Sequence, residues 1–488
     1  MRVVVCYPAP YRVGFSGATV PLLYSLFEAQ GVECELAFLD TIPVSLEGKR
    51  NLRDFDIIAF TVQYEWEYVN LVKMLLASGI KPTKPRKGPI IVGGGPCITS
   101  NPEPLANILD VAVVGDAEEA IPRLCEAAAE GLSGIDSLMG EEGFYFFSEK
   151  CRRAVSSEIA EAKLPSAASE RIEATVYGRA ARVEVVRGCP MLCRYCLIGW
   201  TAKPYREKPI EKAISEIREQ AESVQAKKAV LIGAGLTFYS RFEEICERIG
   251  TLGVEGSMAS IRPELINREK LIAMRGLGQK TLTMGVETGS DKLRDAIGRG
   301  GSSEDVLAAV QEAVEAGFSK VKVYLLVGLP GEREEDLAET AKLVEEIRRL
   351  NVRVQASINP LVPKAHTPSQ YWGFIGYREA SVRARKLAAM LRKVGVKAAP
   401  GISPSEATIQ AMLSLGGREL GDMIVKAAEA GRGAGGWRRV LRAYGIKLEE
   451  IKPKVDVGEE APWDRIDVGG TEKLVLKEYY ESMNALRT

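Results

Sequence analysis

The chain has 488 residues, with 65 basic and 65 acidic side chains and no formal net charge at pH 7. This balance gives no nucleic-acid signal, since proteins that bind nucleic acid usually carry a basic excess. The length suffices for roughly two to four domains, each with its own core. No apolar run approaches the ~20 residues of a membrane span, and the chain starts directly with a strand pattern, so we expect a soluble, cytoplasmic protein.

The first 135 residues alternate between apolar strand patterns and amphipathic helix patterns. Strands are predicted at 3–7, 32–38, 56–62, 89–92 and 111–114, and helices at 19–30, 67–77 and 118–130. Such alternation predicts a doubly wound parallel sheet. Sheets of this kind bind ligands outside the carboxyl ends of their strands.

Two of these strand ends carry residues suited to a ligand. Gly93, Gly94 and Gly95 follow the fourth strand, and glycine lets a backbone approach a ligand closely or adopt a positive φ. Tyr64 and Glu65 end the third strand, in a segment rich in aromatic and acidic side chains. We predict that these residues bind a cofactor. The alternative explanations are a tight turn at the glycines and simple aromatic cover over the sheet end.

Three of the nine cysteines lie in one short loop after an apolar strand pattern. Cys189, Cys193 and Cys196 have the spacing CxxxCxxC. Structural zinc takes four nitrogen or sulfur ligands, and most iron–sulfur clusters take four cysteines. Three thiolates would leave one iron of a [4Fe-4S] cluster open to a ligand that is not protein. The alternatives are a zinc site completed by Cys246 or His366, and buried free thiols.

The cysteine loop, with an aromatic residue before its last cysteine, resembles the signature of the radical S-adenosylmethionine (SAM) enzymes. In that family the open iron binds the amino and carboxylate groups of SAM, and an electron from the cluster cleaves SAM to a 5′-deoxyadenosyl radical. The resemblance implies a [4Fe-4S] cluster on the three cysteines, SAM, and an electron donor such as ferredoxin or flavodoxin.

Residues 181–375 repeat strand and helix patterns and predict a partial (β/α)6 barrel. Strands are expected at 181–186, 229–232, 282–286, 321–327 and 354–358, and helices at 210–225, 242–250, 305–316 and 335–350. Beyond the barrel, apolar residues at three- and four-residue spacing predict helices at 382–394 and 406–430.

Several strand-end segments of this barrel resemble SAM-binding stretches of the family. Gly233, Ala234 and Gly235 occupy the place of its glycine-rich loop, which meets the SAM amino group, although the common Gly-Gly-Glu form is absent. Glu287 lies in a Gly-Val-Glu-Thr stretch that matches the family and is expected at the ribose hydroxyls. Ser290 follows it as the expected cap of the next helix and part of the cofactor site.

The remaining predicted site residues also follow strands. Arg262 offers paired donors for the SAM carboxylate, or else forms an ordinary structural ion pair. Gly328 and Pro330 belong to a stretch that resembles the family's Gly-x-Pro-Gly-Glu loop beside the adenine. His366 lies in a Pro-Lys-x-His-Thr-Pro run like that of cobalamin-domain relatives. It is either a catalytic residue at the barrel mouth or a hydrogen-bonded structural group.

The N-terminal region resembles the cobalamin-binding-type domain that precedes many radical SAM cores, and within that class an uncharacterised subgroup. The matching pieces are residues 94–95, 101–104 and 115–118. The DxHxxG motif, whose histidine coordinates cobalt, is missing because His366 is the only histidine. The resemblance therefore implies either cobalamin bound without a histidine from this domain or a domain that has lost the cofactor.

The predicted fold is α/β, with a Rossmann-like doubly wound domain at 1–135, a linker with strands at 136–180, the radical SAM barrel at 181–375 and a helical C-terminal domain at 376–488. The expected activity is radical chemistry on an unidentified small-molecule or macromolecular substrate. If cobalamin binds, methyl transfer to an unactivated carbon is expected. Without it, rearrangement, oxidation or sulfur insertion would fit. Sulfur insertion is disfavoured, because the sequence shows no second cysteine cluster. A zinc-stabilised binding protein is the alternative of another class.

Overall fold

A computed structural model describes residues 1–431 and 433–487. Residues 432 and 488 of the predicted C-terminal domain lie outside the described residues. Within the part of the chain that the structure describes, no helix is long and apolar enough to cross a membrane. The fold is mixed α/β and built on parallel sheets, as the sequence predicts.

The N-terminal part and the linker form one sheet with helices on both faces. The elements are β1 (Arg2–Tyr7), α1 (Tyr11–Gly14), α2 (Thr19–Glu28), β2 (Glu33–Phe38), β3 (Ile57–Thr61), α3 (Glu67–Ala77), β4 (Ile90–Gly94), α4 (Pro96–Ser100), β5 (Val111–Val113), α5 (Ala117–Ala129), α6 (Leu132–Asp136), β6 (Phe144–Tyr145), β7 (Cys151–Arg152) and α7 (Ser166–Ser169). The strand order is β2-β1-β3-β4-β5-β6.

The first five strands of this sheet are parallel, and β6 is antiparallel to β5. Val3 and Val5 pack with α2 and α5, whereas Val4 packs with α3 on the opposite face. Burial on both faces explains the continuous apolar runs of these strands. The connections change direction between β1 and β3, where doubly wound sheets open a ligand crevice.

The second part of the chain contains the predicted barrel. The elements are β8 (Ala180–Glu184), β9 (Val186–Arg187), α8 (Leu197–Thr201), β10 (Arg206–Glu207), α9 (Ile210–Val224), β11 (Lys228–Ile232), α10 (Phe242–Thr251), β12 (Glu255–Met258), α11 (Arg268–Gly276), β13 (Thr281–Glu287), α12 (Asp291–Ala296), α13 (Ser303–Glu315), β14 (Lys320–Val327), α14 (Glu334–Arg349), β15 (Arg353–Pro360), α15 (Ser369–Trp372), α16 (Tyr377–Lys393) and β16 (Lys397–Pro400).

The barrel strands form two parallel sheets, in the orders β12-β11-β8 and β13-β14-β15-β16. A parallel bridge between Ile261 and Met284 joins the two sheets. Along β13, β14 and β15, fully buried residues that pack in the core alternate with half-buried ones. The half-buried set faces the barrel interior, since the core side is covered by helices such as α13 and α14.

The C-terminal part consists mainly of helices that pack on both earlier parts. Its elements are α17 (Pro404–Leu415), α18 (Gly421–Glu429), α19 (Gly433–Ala443), β17 (Ile466–Asp467) and α20 (Glu472–Ala485). The predicted helix at 406–430 is wrong as a single helix, because it breaks at Gly416 and Gly417 into α17 and α18. A Cβ added to Gly416 would lie 2.2 Å from the Leu420 side chain. β17 pairs with β7 of the linker.

Candidate functional site

The cysteine loop begins where β9 ends and leads into α8. Cys193 is buried, Cys189 and Cys196 are half-buried, and all three are free thiols. The Trp200 indole donates to the carbonyl of Cys193 at 3.0 Å. The backbone N–H of Arg194 donates to the carbonyl of Ile297 at 2.8 Å. These bonds fix the loop between α8 and the end of α12.

The loop environment disfavours free thiolates. Burial raises the pKa of Cys196 to about 11, and the neighbouring Cys193 adds to this rise. Burial also raises the pKa of Cys189, which Arg262 and Arg299 partly oppose. Cysteine binds metal as the thiolate, so assembly of a metal centre on this loop would release protons.

Across residues 1–431 and 433–487, no three His, Cys, Asp or Glu side chains are grouped around one metal-ion position. A zinc ion needs such a group, whereas each cysteine of a [4Fe-4S] cluster binds a different iron, so its sulfurs stand further apart. Cys246 lies in the hydrophobic core of the barrel, and His366 lies beside Trp463. Three free thiols on one loop match the cysteine ligands of an iron–sulfur cluster in their chemistry.

A buried network of charged side chains surrounds the loop. Arg262 donates from Nη1 to the Sγ of Cys193 at 3.2 Å and pairs through Nη2 with Glu264. Arg299 contacts Glu264 at 2.8 Å and donates to the carbonyl of Gly285 at 2.6 Å. The Nε of Arg262 is buried without a hydrogen-bond partner among the described residues. Arg262 thus lies at the loop, and its Nε and one N–H of Nη1 are left after the bonds to Cys193, Glu264 and the carbonyl of Arg299.

Glu287 lies at an irregularity in the pairing of β13 with β14. Its φ is +66°, a left-handed conformation that is uncommon outside glycine and concentrates at functional sites. Burial raises the pKa of Glu287, against the opposing effects of Arg299 and of a hydrogen bond from Tyr195 of the cysteine loop. The predicted ribose ligand is therefore in contact with the loop that carries the cysteines.

The other predicted SAM residues of the second sheet have partners within the protein. Ser290 occupies the N-cap position of α12, as predicted. Its side chain makes no capping hydrogen bond, because its hydroxyl donates to Oδ1 of Asp336 at 2.7 Å. The N–H of Gly328 donates to Glu332 at 2.8 Å, and its φ is +81°. Pro330 follows in the same turn and is half-buried.

A cavity of about 670 Å³ lies between the N-terminal sheet and the barrel. Residues from strand ends and loops of both parts line it, among them Tyr7, Thr61, Gln63, Gly94, Gly95, Thr99 and Gly115 on one side and Gly188, Thr201, Gly233 and Ala234 on the other. Gly188 directly precedes the first cysteine of the loop. One cavity thus borders both the predicted ligand edge of the N-terminal sheet and the start of the cysteine loop.

The predicted glycines divide between the cavity and the core. Gly94 lines the cavity, and a Cβ added there would meet nothing closer than Val113 at 3.7 Å. Gly95 has φ +103°, and a Cβ there would lie 2.6 Å from the carbonyl of Val62. A Cβ on Gly93 would instead lie 2.5 Å from the Leu109 side chain, so Gly93 serves core packing.

The barrel glycines show a similar division. Gly233 and Ala234 line the cavity. Gly233 has φ +158°, and a Cβ there would lie 2.1 Å from the Val186 side chain. A Cβ on Gly235 would lie 3.1 Å from the ring of Tyr205. The end of β11 therefore depends on glycine for close packing as well as for access to the cavity.

Tyr64 and Glu65 lie in a contact with the C-terminal part of the chain rather than in the lining of the cavity. The Tyr64 hydroxyl donates to Gln410 at 3.1 Å, and Gln410 donates to Glu65 at 2.7 Å. Glu65 also pairs with Lys364. Burial disfavours the charged carboxylate, but Lys364 outweighs burial and holds the pKa of Glu65 below its ordinary value. The predicted cofactor contact of these residues has no support in their geometry.

His366 lies in the loop after β15 and is buried beside Trp463, with 6.3 Å between ring centroids. Burial lowers the pKa of His366 to about 4, which a hydrogen bond with the backbone of Ser100 partly opposes. Its Nε2 has no hydrogen-bond partner in the described structure. The side chain is therefore neutral at physiological pH and lies between the barrel loop and α4.

An ionic network along the cavity is absent from the sequence predictions. Arg187 of β9 contacts Asp116 at 3.3 Å, Glu118 at 2.9 Å and Glu184 at 2.8 Å, and Arg206 also pairs with Asp116. Burial would raise the pKa of Asp116, but the two arginines lower it below its ordinary value. The acids belong to the run at 115–118 that the sequence singled out, but nothing local pointed to arginines 71 and 90 residues away from Asp116.

The last helix covers the cysteine loop. Arg194, which stands between two of the cysteines, donates to Glu478 at 2.9 Å and to Glu481 at 3.2 Å on α20. Leu486 packs in one cluster with Tyr195 and Leu329. The C-terminal part thus shields the loop from solvent on this side.

Comparison with known proteins gives the same class for both parts of the chain. Residues 183–344 match the family described as the Radical SAM superfamily, and residues 27–136 match the family described as Radical SAM proteins, N-terminal. Together with the cysteine loop and its setting, these matches identify the chain as a radical SAM enzyme. The cofactors of that superfamily are a [4Fe-4S] cluster and SAM.

Several relatives share much of the sequence. An uncharacterized protein of Methanocaldococcus jannaschii is 29% identical over 367 residues, covering 75% of this chain and 78% of the relative. A tRNA-2-methylthio-N(6)-dimethylallyladenosine synthase of Thermoanaerobacter sp. is 24% identical over 315 residues. That match covers 61% of this chain and 62% of the synthase.

Solved structures share the fold. The radical SAM methyltransferase TsrM from Kitasatospora setae, with cobalamin and a [4Fe-4S] cluster bound, superposes with a TM-score of 0.58 at 16% identity, covering 73% of this chain and 74% of that one. The cobalamin-dependent SAM radical enzyme OxsB, with aqua-cobalamin bound, gives 0.52 at 15% identity, covering 100% and 80%. The likeness extends over both the N-terminal sheet and the barrel.

Proposed function

We propose that this radical SAM enzyme binds cobalamin in the cavity between its two sheets and transfers a methyl group to an unactivated carbon. The observation that carries the proposal is the cavity itself, which both the N-terminal strand ends and the start of the cysteine loop line. Its volume of about 670 Å³ falls within the ~300–1,000 Å³ typical of ligand and cofactor sites. TsrM and OxsB, which share the fold, are solved with cobalamin bound.

The lining fits a corrinoid chemically. Thr61, Gln63 and Thr99 present hydroxyl and amide groups that can hydrogen-bond the amide side chains of a corrin ring. Gly94 leaves space in the cavity that a larger side chain would fill. His366 lies elsewhere, so a corrinoid in this cavity would bind without a histidine ligand from this chain.

The cysteine loop would hold the radical-generating cofactors. Cys189, Cys193 and Cys196 would bind a [4Fe-4S] cluster, which supplies an electron to SAM when it is reduced by a donor such as ferredoxin or flavodoxin. Glu287 would orient the SAM ribose, and the free Nε of Arg262 would meet its carboxylate. Each of these side chains is only 13% exposed, which would limit the access of water to the place where a reactive radical would form.

The barrel interior favours a polar substrate. The half-buried positions that face it include Lys322, Tyr324, Gln355 and Ser357. The Lys322 ammonium lies 3.2 Å from the Tyr324 hydroxyl and over its ring. These groups can position a substrate that carries hydroxyl, amide or carboxylate groups, because each can form a directed hydrogen bond with one of them.

Sulfur insertion is the second candidate, because the tRNA-modifying relatives are named for methylthio transfer. That reaction would need a sulfur source such as a second cluster. The other six cysteines are Cys6, Cys34, Cys97, Cys125, Cys151 and Cys246. They lie in six different elements, β1, β2, α4, α5, β7 and α10, rather than together on one loop. We therefore favour methyl transfer.

Anaerobic reconstitution with iron and sulfide, followed by addition of hydroxocobalamin and SAM with a deuterated methyl group, tests the proposal. We expect stoichiometric corrinoid binding and, on reduction, 5′-deoxyadenosine together with S-adenosylhomocysteine. An enzyme that forms 5′-deoxyadenosine but binds no corrinoid would overturn the methyl-transfer proposal and leave the cofactor-free alternative. Absence of both products would contradict the enzyme assignment.

A further inference from the structure

We infer that Arg262 sets the reduction potential of the cluster through the hydrogen bond that it donates to Cys193. Its Nη1 lies 3.2 Å from the Sγ of Cys193. Hydrogen bonds to cluster sulfurs and nearby charge are principal means by which proteins tune iron–sulfur potentials. The inference rests on the cluster within the proposed function, but not on cobalamin.

The local sequence fixes the backbone conformation at Arg262. Arg262 precedes Pro263, and the residue before proline is held in the extended region. Its φ of −93° and ψ of 119° are extended, and a 3₁₀ turn at Pro263–Leu265 follows. This turn places Glu264 beside Arg262, where its carboxylate accepts from the guanidinium.

The surroundings then hold the guanidinium at the sulfur. Besides Glu264, the carbonyl of Arg299 accepts from Nη2 of Arg262. Arg299 is itself 3% exposed and contacts Glu264 at 2.8 Å. A guanidinium held by a carboxylate on one edge cannot turn away from the sulfur without breaking a buried ion pair.

The donors of Arg262 are therefore divided between two tasks. Nη1 serves Cys193, Nη2 serves Glu264 and the carbonyl of Arg299, and Nε is buried without a described partner. The sequence suggested that a pair of donors meets the SAM carboxylate. The geometry leaves Nε and the second N–H of Nη1 for that purpose, and it gives the first N–H of Nη1 a role toward the cluster ligand.

The expected electronic effect has a definite sign. Reduction adds one electron from an external low-potential donor to the oxidised cluster, and no proton or bond is exchanged. The added negative charge spreads over iron and sulfur, so an N–H donor and a positive charge at Cys193 stabilise the reduced form more than the oxidised form. Loss of Arg262 therefore makes the cluster harder to reduce.

The test is a redox titration of the reconstituted full-length protein without SAM, followed by electron paramagnetic resonance of the reduced cluster. In Arg262→Gln we expect the ratio of reduced to oxidised cluster at a fixed potential to fall about tenfold, a shift of about −59 mV for a one-electron couple. Arg262→Lys keeps the charge but loses the planar fork, and we expect a smaller shift of the same sign. An unchanged potential in both variants overturns the inference.

Arg268→Gln provides the matched control. Arg268 is a nearby arginine whose side chain is 62% exposed and pairs with Glu315. Its loss removes one positive charge at the surface, and we expect no shift, since exposed charges are screened by solvent. A shift equal to that of Arg262→Gln would show a general charge effect and overturn the role of the hydrogen bond.

A measurement on the unaltered protein guards against variants that fail to fold. With ¹⁵N-labelled arginine, pulsed paramagnetic resonance of the reduced cluster should detect hyperfine coupling to a guanidinium nitrogen, and its absence would overturn the inference. Iron and sulfide content is measured first. If the unaltered protein assembles no cluster, the assignment of the three cysteines fails, which is a separate result from an unchanged potential.

Discussion

The cysteine loop and the cavity beside it are built in different ways. The loop places its three thiols within eight residues, and neighbouring side chains such as Arg262 and Glu287 surround it. The cavity is assembled from segments that lie far apart in the sequence, between Tyr7 and Ala259. The three cysteines of the loop are therefore local in sequence. The cavity proposed for a second cofactor depends instead on the docking of two sheets.

The largest expected effect comes from the loop. Cys193→Ala removes one ligand of the cluster, and we expect loss of most bound iron and of detectable SAM cleavage. Cys34→Ala is the matched control, since this half-buried cysteine lies in β2 of the N-terminal sheet. Iron analysis and chromatographic detection of 5′-deoxyadenosine give the answer. Retention of both in Cys193→Ala would contradict the assignment of the loop.

We expect that the cavity can be filled without disturbing the cluster on the cysteine loop. Gly94→Phe places a ring in the cavity, and we expect corrinoid affinity to fall at least ~100-fold because a filled site loses its contacts, while iron content stays unchanged. Gly250→Phe is the control, since a side chain at Gly250 would meet nothing within 4 Å. Binding is followed by the corrinoid absorbance spectrum. Equal corrinoid binding in both variants would disprove this location of the cofactor.

The contact between the two parts is expected to depend on Asp116. Asp116→Asn leaves Arg206 without its buried counter-charge, whereas Arg187 keeps Glu118 and Glu184, and breaking a buried pair costs about 3–5 kcal/mol. Glu141→Gln is the control, because Glu141 is 57% exposed in its pair with Arg123 and should matter by less than ~1 kcal/mol. Chemical denaturation measures both free energies of unfolding.

The pH dependence of this variant has a defined direction. The pKa of Asp116 is lower in the folded protein than its ordinary value of 3.8. Its stabilising contribution is therefore complete above about pH 4 and is lost as the pH falls through the folded-state pKa. The difference in unfolding free energy between the parent protein and Asp116→Asn should shrink below pH 4. A difference that stays constant there would argue against an ionised Asp116 in the network.

The smallest expected effect concerns His366. Burial lowers the pKa of His366 from 6.5 to about 4. Between pH 4 and pH 6.5 this side chain is therefore protonated in the unfolded chain but neutral in the folded protein. Stability should therefore decrease as the pH falls from 6.5 to 4, by about 3 kcal/mol from this group. His366→Gln should remove that part of the pH dependence in denaturation experiments. An identical pH dependence in the two proteins would contradict the buried neutral histidine.

The sequence predicts the regular elements well where their patterns are strong. Strands such as β1 and β14 are continuous or alternating apolar runs, and both lie where they were expected. β12 and β16 were missed because Glu255–Met258 and Lys397–Pro400 are short and carry few β-branched residues. β16 moreover lies inside the region 376–488 that was predicted to be helical. It extends the barrel sheet by pairing with β15, a long-range contact that the local sequence does not show.

The same distinction applies to the candidate site. The cysteine loop was foreseen because a single spacing encodes it. The partners of Glu65 and Asp116 were not foreseen, because Lys364 and Arg187 come close to them only when the chain folds. Tyr64 and Glu65 follow a strand end as predicted, and they contact Gln410 of α17, which the sequence did not predict. Position along a strand can be read from the sequence, whereas the element that docks there cannot.

The cover that α20 forms over the cysteine loop has a consequence for biosynthesis. Glu478 and Glu481, which hold Arg194, are translated long after the cysteines. At ~5–20 residues per second, about 15–60 s separate the two segments. During this interval the loop has left the ribosome without its cover and is open to the machinery that delivers iron and sulfide. Chain order thereby leaves time for cluster insertion before the enzyme closes.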